Sequence, residues 1–207
     1  MNGEPVSDLT RDAVADALGR FDARLLGAGE RRHAAVVVAV GVNADSVPAV
    51  LLTMRPARMR AHPGQFALPG GAIDPGESVA QAALRELREE LAIEADESDI
   101  VGRLDDYATR SGYVISPLVL WIGDRIQHTV PNSAEVAEVL LPTIAEVDVE
   151  PRFIRIPESD RPVIQWPYKG ALIHAPTGAI VYQFREVVLR GRSTRVSHLE
   201  QPVFAWR

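Results

Sequence analysis

The chain of 207 residues contains no cysteine. Disulfide frameworks, thiolate nucleophiles, iron–sulfur centres and cysteine-based zinc sites are thereby excluded. Lysine is nearly as scarce, because of 22 basic residues all but Lys169 are arginine. Lysine-containing phosphate loops are absent, and arginine is the one anion clamp available in quantity. Long apolar runs are missing too; the longest, Ala34 to Val42, has the length of a strand and not of a bilayer span. MNGEPVSDLTRDAV, at the start, is acidic and polar, so no secretory signal is expected and a cytoplasmic location is. A formal charge of −6 argues against nucleic acid held through bulk charge, and nothing points to a membrane partner. What remains, 46% hydrophobic and 24% charged, is an ordinary globular composition on a chain long enough to bury a core.

The hydrophobic pattern predicts a helix within 5–27, with Val14, Leu18, Phe21 and Leu25 on one face and Ser7 or Thr10 as cap. Strands are expected over His33–Val42, Ala49–Met54, Ile100–Tyr107, Tyr113–Ile122 and Val136–Leu141, with a short helix after Pro142. Residues 56–76 carry four prolines and four glycines, a loop long enough to imply function. A strong helix over Glu77–Ala92 follows it. Further on, Arg152–Ile156 and Val163–Trp166 read as paired strands. Thr177 reads as the N-cap of a helix ending near Gly191, and the tail from Arg192 as a loose edge strand. Strands and helices mix without regular βαβ alternation, so one α/β (α+β) domain is expected over 1–207. Its parts are a helical extension at 1–30, a core at 33–147 and a C-terminal extension at 148–207. Exposed strand edges and the first helix offer surfaces for a homodimer.

The chemistry is concentrated in GGAIDPGESVAQAALRELREELAI, Gly70 to Ile93. On the helix, Ala83, Leu84, Leu87 and Leu91 recur at core-facing spacing. Glu86, Glu89 and Glu90 then share a neighbouring surface at i, i+3 and i+4. At ~5–6 Å and an effective dielectric near 20, each close carboxylate pair repels by about 3 kcal/mol. A hard divalent cation removes that repulsion, and magnesium favours a few carboxylates with waters and substrate phosphates. Alone, such a helix is also what a solvated surface looks like, with Arg85 paired to Glu89. The glycine turns before it change the reading, since their backbone can approach a metal or phosphate closely.

Gly71, Glu77, Arg85, Glu86, Glu89 and Glu90 fall in the register G-x5-E-x7-R-E-U-x-E-E-x-G-U, with aliphatic Leu87 and Ile93 in place. Six fixed positions at roughly one in fifteen each match by chance about once in 10⁷ registers. The segment therefore resembles the nudix box. Ala92 departs from it, standing where the family has glycine; a left-handed cap on alanine costs roughly 1 kcal/mol. The resemblance implies a nudix-type α/β/α sandwich with a mixed sheet and metal-dependent hydrolysis of a nucleoside diphosphate linked to another group. It implies Mg²⁺ or Mn²⁺ on Glu86 and Glu90, with Glu89 and the Gly70 carbonyl as further ligands. Arg85 would orient the glutamates, and Glu77 would support the loop–helix geometry.

Upstream, LLTMRPARMRAHPGQFALPGG (Leu51 to Gly71) gathers Arg55, Arg58 and Arg60 with His62 nearby. Read from composition, this is a phosphate clamp or a basic loop balancing an acidic surface. The segment is similar to LLTxR(S/A)x3Rx3Gx3FPGG, the signature before the box in nudix coenzyme A diphosphatases. Leu51, Leu52, Thr53, Arg55, Arg60, Gly64, Pro69, Gly70 and Gly71 match, while Pro56 and Leu68 depart. The implied substrate is coenzyme A or a derivative, with Arg55, Arg58, Arg60, Gly64 and Gly71 at the binding site. Other nudix substrates (ADP-ribose, a dinucleoside polyphosphate, a nucleoside triphosphate) share the box but not this segment. A nudix-like nucleotide sensor would need no full glutamate set.

A base must hold the attacking water. Glu135 and Glu138 in AEVAEVLLP are candidates, Glu138 being the one carried forward, with Glu89 as an alternative inside the box. Trp166 and Tyr168 are either core residues or a stacking surface for adenine. His174 and His198 are scattered polar residues sooner than a metal pair.

Overall fold

Residues 9–27, 29–58 and 64–206 are described by the computed structural model. Thr10 accepts the Ala13 amide and starts α1 (Arg11–Gly19). The helix is much shorter than the 5–27 its hydrophobic spacing suggests. Beyond Gly19, the Arg24 and Leu26 amides donate to Asp105 Oδ1 and Asp106 Oδ2, each at 2.8 Å. Buried carboxylates thus take the N–H groups that further turns would have used, and Leu25 is left exposed. Ser7 lies outside the described residues.

The Val/Ala run becomes β1 (Arg32–Val42), buried on both faces as its unbroken apolar character requires. β2 (Pro48–Val50) pairs antiparallel with it. The strand expected over Ala49–Met54 is in fact divided. Val50 pairs with Val40, whereas Leu52 in β3 (Leu52–Met54) pairs with Leu140, so the chain leaves one sheet for another at Leu51. The long loop contains two short strands, β4 (Phe66–Ala67) and β5 (Gly70–Ala72). After it come α2 (Val79–Leu91), β6 (Ile100–Arg103), β7 (Tyr107–Ala108) and β8 (Tyr113–Gly123). The main sheet runs β2-β1-β8-β6, parallel between β1 and β8, with β5 on β1 and β7 on β8. β9 (Glu138–Leu140) completes a smaller sheet β4-β3-β9, and Thr143 caps the single-turn α3 (Ile144–Val147). A third sheet, β10 (Arg152–Ile156), β11 (Ser159–Tyr168) and β12 (Ala171–Ile173), leads into α4 (Thr177–Phe184) and a π turn at Arg185–Leu189. Thr177 is the first residue of α4 and not its cap, which is Pro176. Nor is the tail an edge strand: it makes one bridge, Glu200 to Val163, and a short turn at Val203–Ala205.

Alternate residues of β1 serve opposite layers. Ala35, Val37 and Ala39 pack with Ala83, Leu87 and Leu91 of α2. Ala34, Val38 and Val40 pack with Val14 and Leu18 of α1 and with Ile180 and Phe184 of α4. This is an α/β/α arrangement around a mixed sheet. Among the described residues no helix is long and apolar enough to cross a membrane.

α2 carries the acidic surface, and its ends explain its length. Ser78 accepts the Gln81 amide while Gln81 accepts that of Ser78, a reciprocal capping box. At the other end Ala92 sits at φ 55°, ψ 29°, in the left-handed conformation glycine adopts without strain. Replacing Ala92 by Gly is expected to stabilise the protein by about 1 kcal/mol, read as a higher urea midpoint at unchanged slope. A lower midpoint would mean that the alanine methyl, and not the backbone, decides this turn.

Candidate active site

The site forms where β5 feeds α2 through the Pro75–Gly76 turn. Arg85 is its framework. Its Nε and Nη2 donate to the two oxygens of Glu77 at 2.9 and 3.0 Å. Nη2 also reaches the Ala72 carbonyl at 3.0 Å, and Nη1 donates to Glu86 Oε1 at 2.7 Å and Glu89 Oε2 at 3.1 Å. One guanidinium therefore ties strand, turn and helix together. That hydrogen bond holds the Glu77 carboxyl below the usual carboxylate range, helped by the Asp74 amide.

Glu86 and Glu90, one turn apart on α2, converge with Glu135, their ligand oxygens all within 4.8 Å of one another. Glu135 arrives because the Asn132 amide docks on the Glu90 carbonyl at 2.8 Å, and Asn132 Nδ2 then donates to Glu135 Oε1 at 3.3 Å. Glu90 is only 6% exposed. Burial, then the charges of Glu86 and Glu135, push its pKa up to about 8, against the pull of Arg55 and the Gly70 amide. Its Oε2 is buried without a hydrogen-bond partner among the described residues. An orphaned buried oxygen among three converging carboxylates fits a hard divalent cation. The glycines shape the cradle: a Cβ on Gly71 would lie 2.3 Å from Glu86 Oε1.

A proton count follows from these carboxylates. At pH 7 a group with a pKa near 8 is about 0.9 protonated, and a divalent cation requires it ionised. Metal binding at pH 7 is therefore expected to release close to one proton, measured by calorimetry in buffers of differing ionisation enthalpy. Release near zero would place the cation elsewhere.

The other candidates separate. Glu89 faces outward, its side chain 52% exposed and held by Arg85, outside the converging oxygens. Glu138, carried forward from the sequence, is exposed on β9 opposite Met54 and does not join the cluster; Glu135 does. Pairing of Glu138 within β9 keeps it off α2, whereas Glu135 precedes the strand and follows the turn that docks there. Arg55 stands near Glu90. Arg58 Nη2 donates to the Ser133 carbonyl at 2.5 Å, joining the arginine segment to the one carrying Glu135. Arg60 and His62 lie outside the described residues. Gly64, left-handed at φ 66°, donates its amide to the Arg55 carbonyl at 3.1 Å while the Arg55 amide donates to Gln65 O at 2.9 Å, closing the base of that loop. Trp166 and Tyr168 stack on each other with planes 4° apart inside the core, not on a ligand face. His174 pairs with Gln165 and is depressed by burial; His198 is exposed.

A cavity of about 260 Å³ opens beside the cluster, from Arg55, Gly70 and Gly71 past β1 to the β7–β8 hairpin. Thr177 and Ile180 of α4 and Gln201 and Ala205 of the tail close its far side. Sequence reasoning missed these four as site residues, because nothing local marks a residue of α4 or of the tail as the wall of a site built by β1 and β5.

A family model described as NUDIX domain matches residues 31–166. The Nudix hydrolase NudL of Pectobacterium atrosepticum is 32% identical over 184 residues, spanning 84% of this chain and 94% of that protein. NudL of Photorhabdus laumondii is 31% identical over 192 residues, spanning 85% and 98%. Among solved structures, the fold is similar to that of a NUDIX hydrolase from Alicyclobacillus acidocaldarius, with a TM-score of 0.50 at 19% identity, covering 84% of this chain and 98% of that one.

Proposed function

The chain belongs to the NUDIX family of hydrolases, and from that membership we propose that it hydrolyses the diphosphate of coenzyme A or a derivative. The products from coenzyme A are 4′-phosphopantetheine and adenosine 3′,5′-bisphosphate. The observation that supports this reading is the position of Arg55, a signature residue that stands by Glu90 and lines the cavity with Gly70 and Gly71. Arginines beyond the diphosphate suit a substrate with a further phosphate on its ribose.

In this reading Glu86, Glu90 and Glu135 hold Mg²⁺ or Mn²⁺, with Glu89 and the Gly70 carbonyl as the additional ligands the nudix resemblance supplies. Bound there, the cation neutralises charge on the phosphate oxygens and lowers the pKa of water. Arg85 keeps Glu86 in place, and Glu77 keeps Arg85 in place. Glu89, which shares Arg85 Nη1 with Glu86 and borders solvent, would reach the cation through a water and take up the proton of the attacking water. Arg55 and Arg58, and Arg60 as the resemblance implies, bind phosphates, with Gly64 bonded back to Arg55. Glu138 is left with contact to the outer part of the substrate.

The test is mass spectrometry of products after incubation with Mg²⁺ or Mn²⁺ and a panel of coenzyme A, ADP-ribose, NADH, a dinucleoside polyphosphate and nucleoside triphosphates. Metal-dependent 4′-phosphopantetheine, formed faster than any other product, is the expected outcome. Faster cleavage of another member would discard coenzyme A and keep the hydrolase.

A further inference from the structure

We propose that Gln201 is a specificity-determining residue, reading an amide carbonyl on the uncharged arm of the substrate inside the cavity beside the glutamates. The inference rests on the coenzyme A reading for the identity of that arm. Gln201 lies outside the residues the family model matches, on the tail that returns over the cavity. It is 2% exposed, and it lines the cavity. Its placement is fixed from three sides. The Arg110 amide donates to Gln201 Oε1 at 2.7 Å, Trp206 Nε1 donates to the Gln201 carbonyl at 2.8 Å, and the Gln201 amide donates to Glu200 Oε1 at 3.0 Å. Glu200 is itself paired with the Arg110 guanidinium at 2.5 Å.

Because the Arg110 N–H can only donate, the side-chain atom facing it is the oxygen. The group Gln201 has left to offer a ligand in the cavity it lines is its N–H₂, which takes part in no hydrogen bond among the described residues. The two hydroxyls on either side of Arg110 are engaged: Thr109 Oγ1 accepts the Tyr113 amide at 2.9 Å and meets Ser111 Oγ at 3.1 Å, within the hairpin. Ala34, Val36, Ile115 and Ile180 give the same cavity an aliphatic stretch of wall, beside the polar Thr109, Ser111 and Thr177. A donor held in such surroundings favours a ligand that brings an acceptor and little charge. A purine edge pairs with glutamine through both amide atoms side by side, and here the oxygen is turned onto the Arg110 amide with one of its two lone pairs engaged. The carbonyl of an amide-bearing aliphatic arm needs the donor alone. The arm of pantetheine has that chemistry, and Arg55 marks the end at which its phosphate would meet the cluster.

The test is equilibrium binding of 4′-phosphopantetheine and of adenosine 3′,5′-bisphosphate, each with Mg²⁺, to the wild type and to Gln201→Glu and Gln201→Leu. Gln201→Glu keeps an oxygen for the Arg110 amide and loses the donor; Gln201→Leu removes both without adding charge beside Glu200. Either variant that melts like the wild type suffices. The expected result is about a tenfold rise in Kd for 4′-phosphopantetheine and less than about a twofold rise for the bisphosphate. Equal rises for the two ligands, an unchanged Kd for 4′-phosphopantetheine, or a wild type that does not bind it would each overturn the inference. Turnover of coenzyme A by the wild type is scored separately. Its absence would remove the substrate reading while the binding result still judged the pocket.

Discussion

Glu90→Gln is expected to lower metal-dependent turnover on the order of 1,000-fold while the protein still folds. The substitution keeps the shape of the side chain and removes the charge from the buried member of the converging set. Outer partners of metal ligands already cost about 10–100-fold when lost, and a ligand that carries charge to the site costs more. Folding responds with the opposite sign. The carboxyl of Glu90 titrates near pH 8 in the metal-free protein, above its value in the unfolded chain, so the native state binds more protons between those limits. The contribution of Glu90 to the stability of the metal-free wild type should therefore be greatest below the ordinary glutamate range, fall as pH climbs to about 8, and level off above that. The variant should lack this slope and exceed the wild type by a few kcal/mol at pH 9, measured by denaturant titration without metal. A variant that retains full turnover, or one unfolded at neutral pH, would remove Glu90 from the metal-binding role.

The carboxylates on α2 were legible because helical spacing alone brings Glu86 and Glu90 together, and the box fixes their register. So was the strained end of that helix, since Ala92 stands where a left-handed residue is needed and the structure has it there at φ 55°. Glu135 and Glu138 were not separable in the same way. Both sit in AEVAEV with similar neighbours, and the choice is made by the docking of Asn132 on Glu90, a tertiary event. The shortened α1 has a similar cause, Asp105 and Asp106 lying about 80 positions away and capturing its would-be amides. The strand before the arginine segment looked continuous because both halves are apolar. Only the partners of Val50 and Leu52 reveal that they serve different sheets. Gln201 was invisible for a stronger reason: its chemistry comes from which of its two amide atoms is already occupied, and Arg110 supplies that from the hairpin. Local pattern thus reported the element that carries charge, while the elements that frame the substrate depend on contacts between distant segments.

The adjacent glycines Gly70 and Gly71 provide the second large effect, and the two should fail differently. The three atoms nearest a Cβ on Gly71 would all belong to the carboxylate of Glu86, with Oε1 at 2.3 Å, and that is the far end of a flexible side chain. Gly71→Ala should therefore fold, with a melting temperature within a few degrees of the wild type, because Glu86 can swing aside. The displaced carboxylate leaves the convergence with Glu90 and Glu135, so turnover should drop on the order of 100-fold or more, with weaker affinity for Mn²⁺. Gly70 is different. It sits at φ 147°, which side chains rarely adopt, and its Cβ would lie 2.2 Å from the Ala35 carbonyl and 2.7 Å from Val36 Cα in the central strand. Backbone in the middle of the main sheet cannot yield as a glutamate does. Gly70→Ala should cost about 3 kcal/mol or more, lowering the melting temperature on the order of 10 °C before any question of activity arises. Paired thermal melts and Mn²⁺ titrations distinguish the two. Equal destabilisation by both alanines would mean that Glu86 is rigidly held by Arg85 even without metal, and that the cradle is part of the folding core. Unchanged metal affinity in Gly71→Ala would detach Glu86 from the cation altogether.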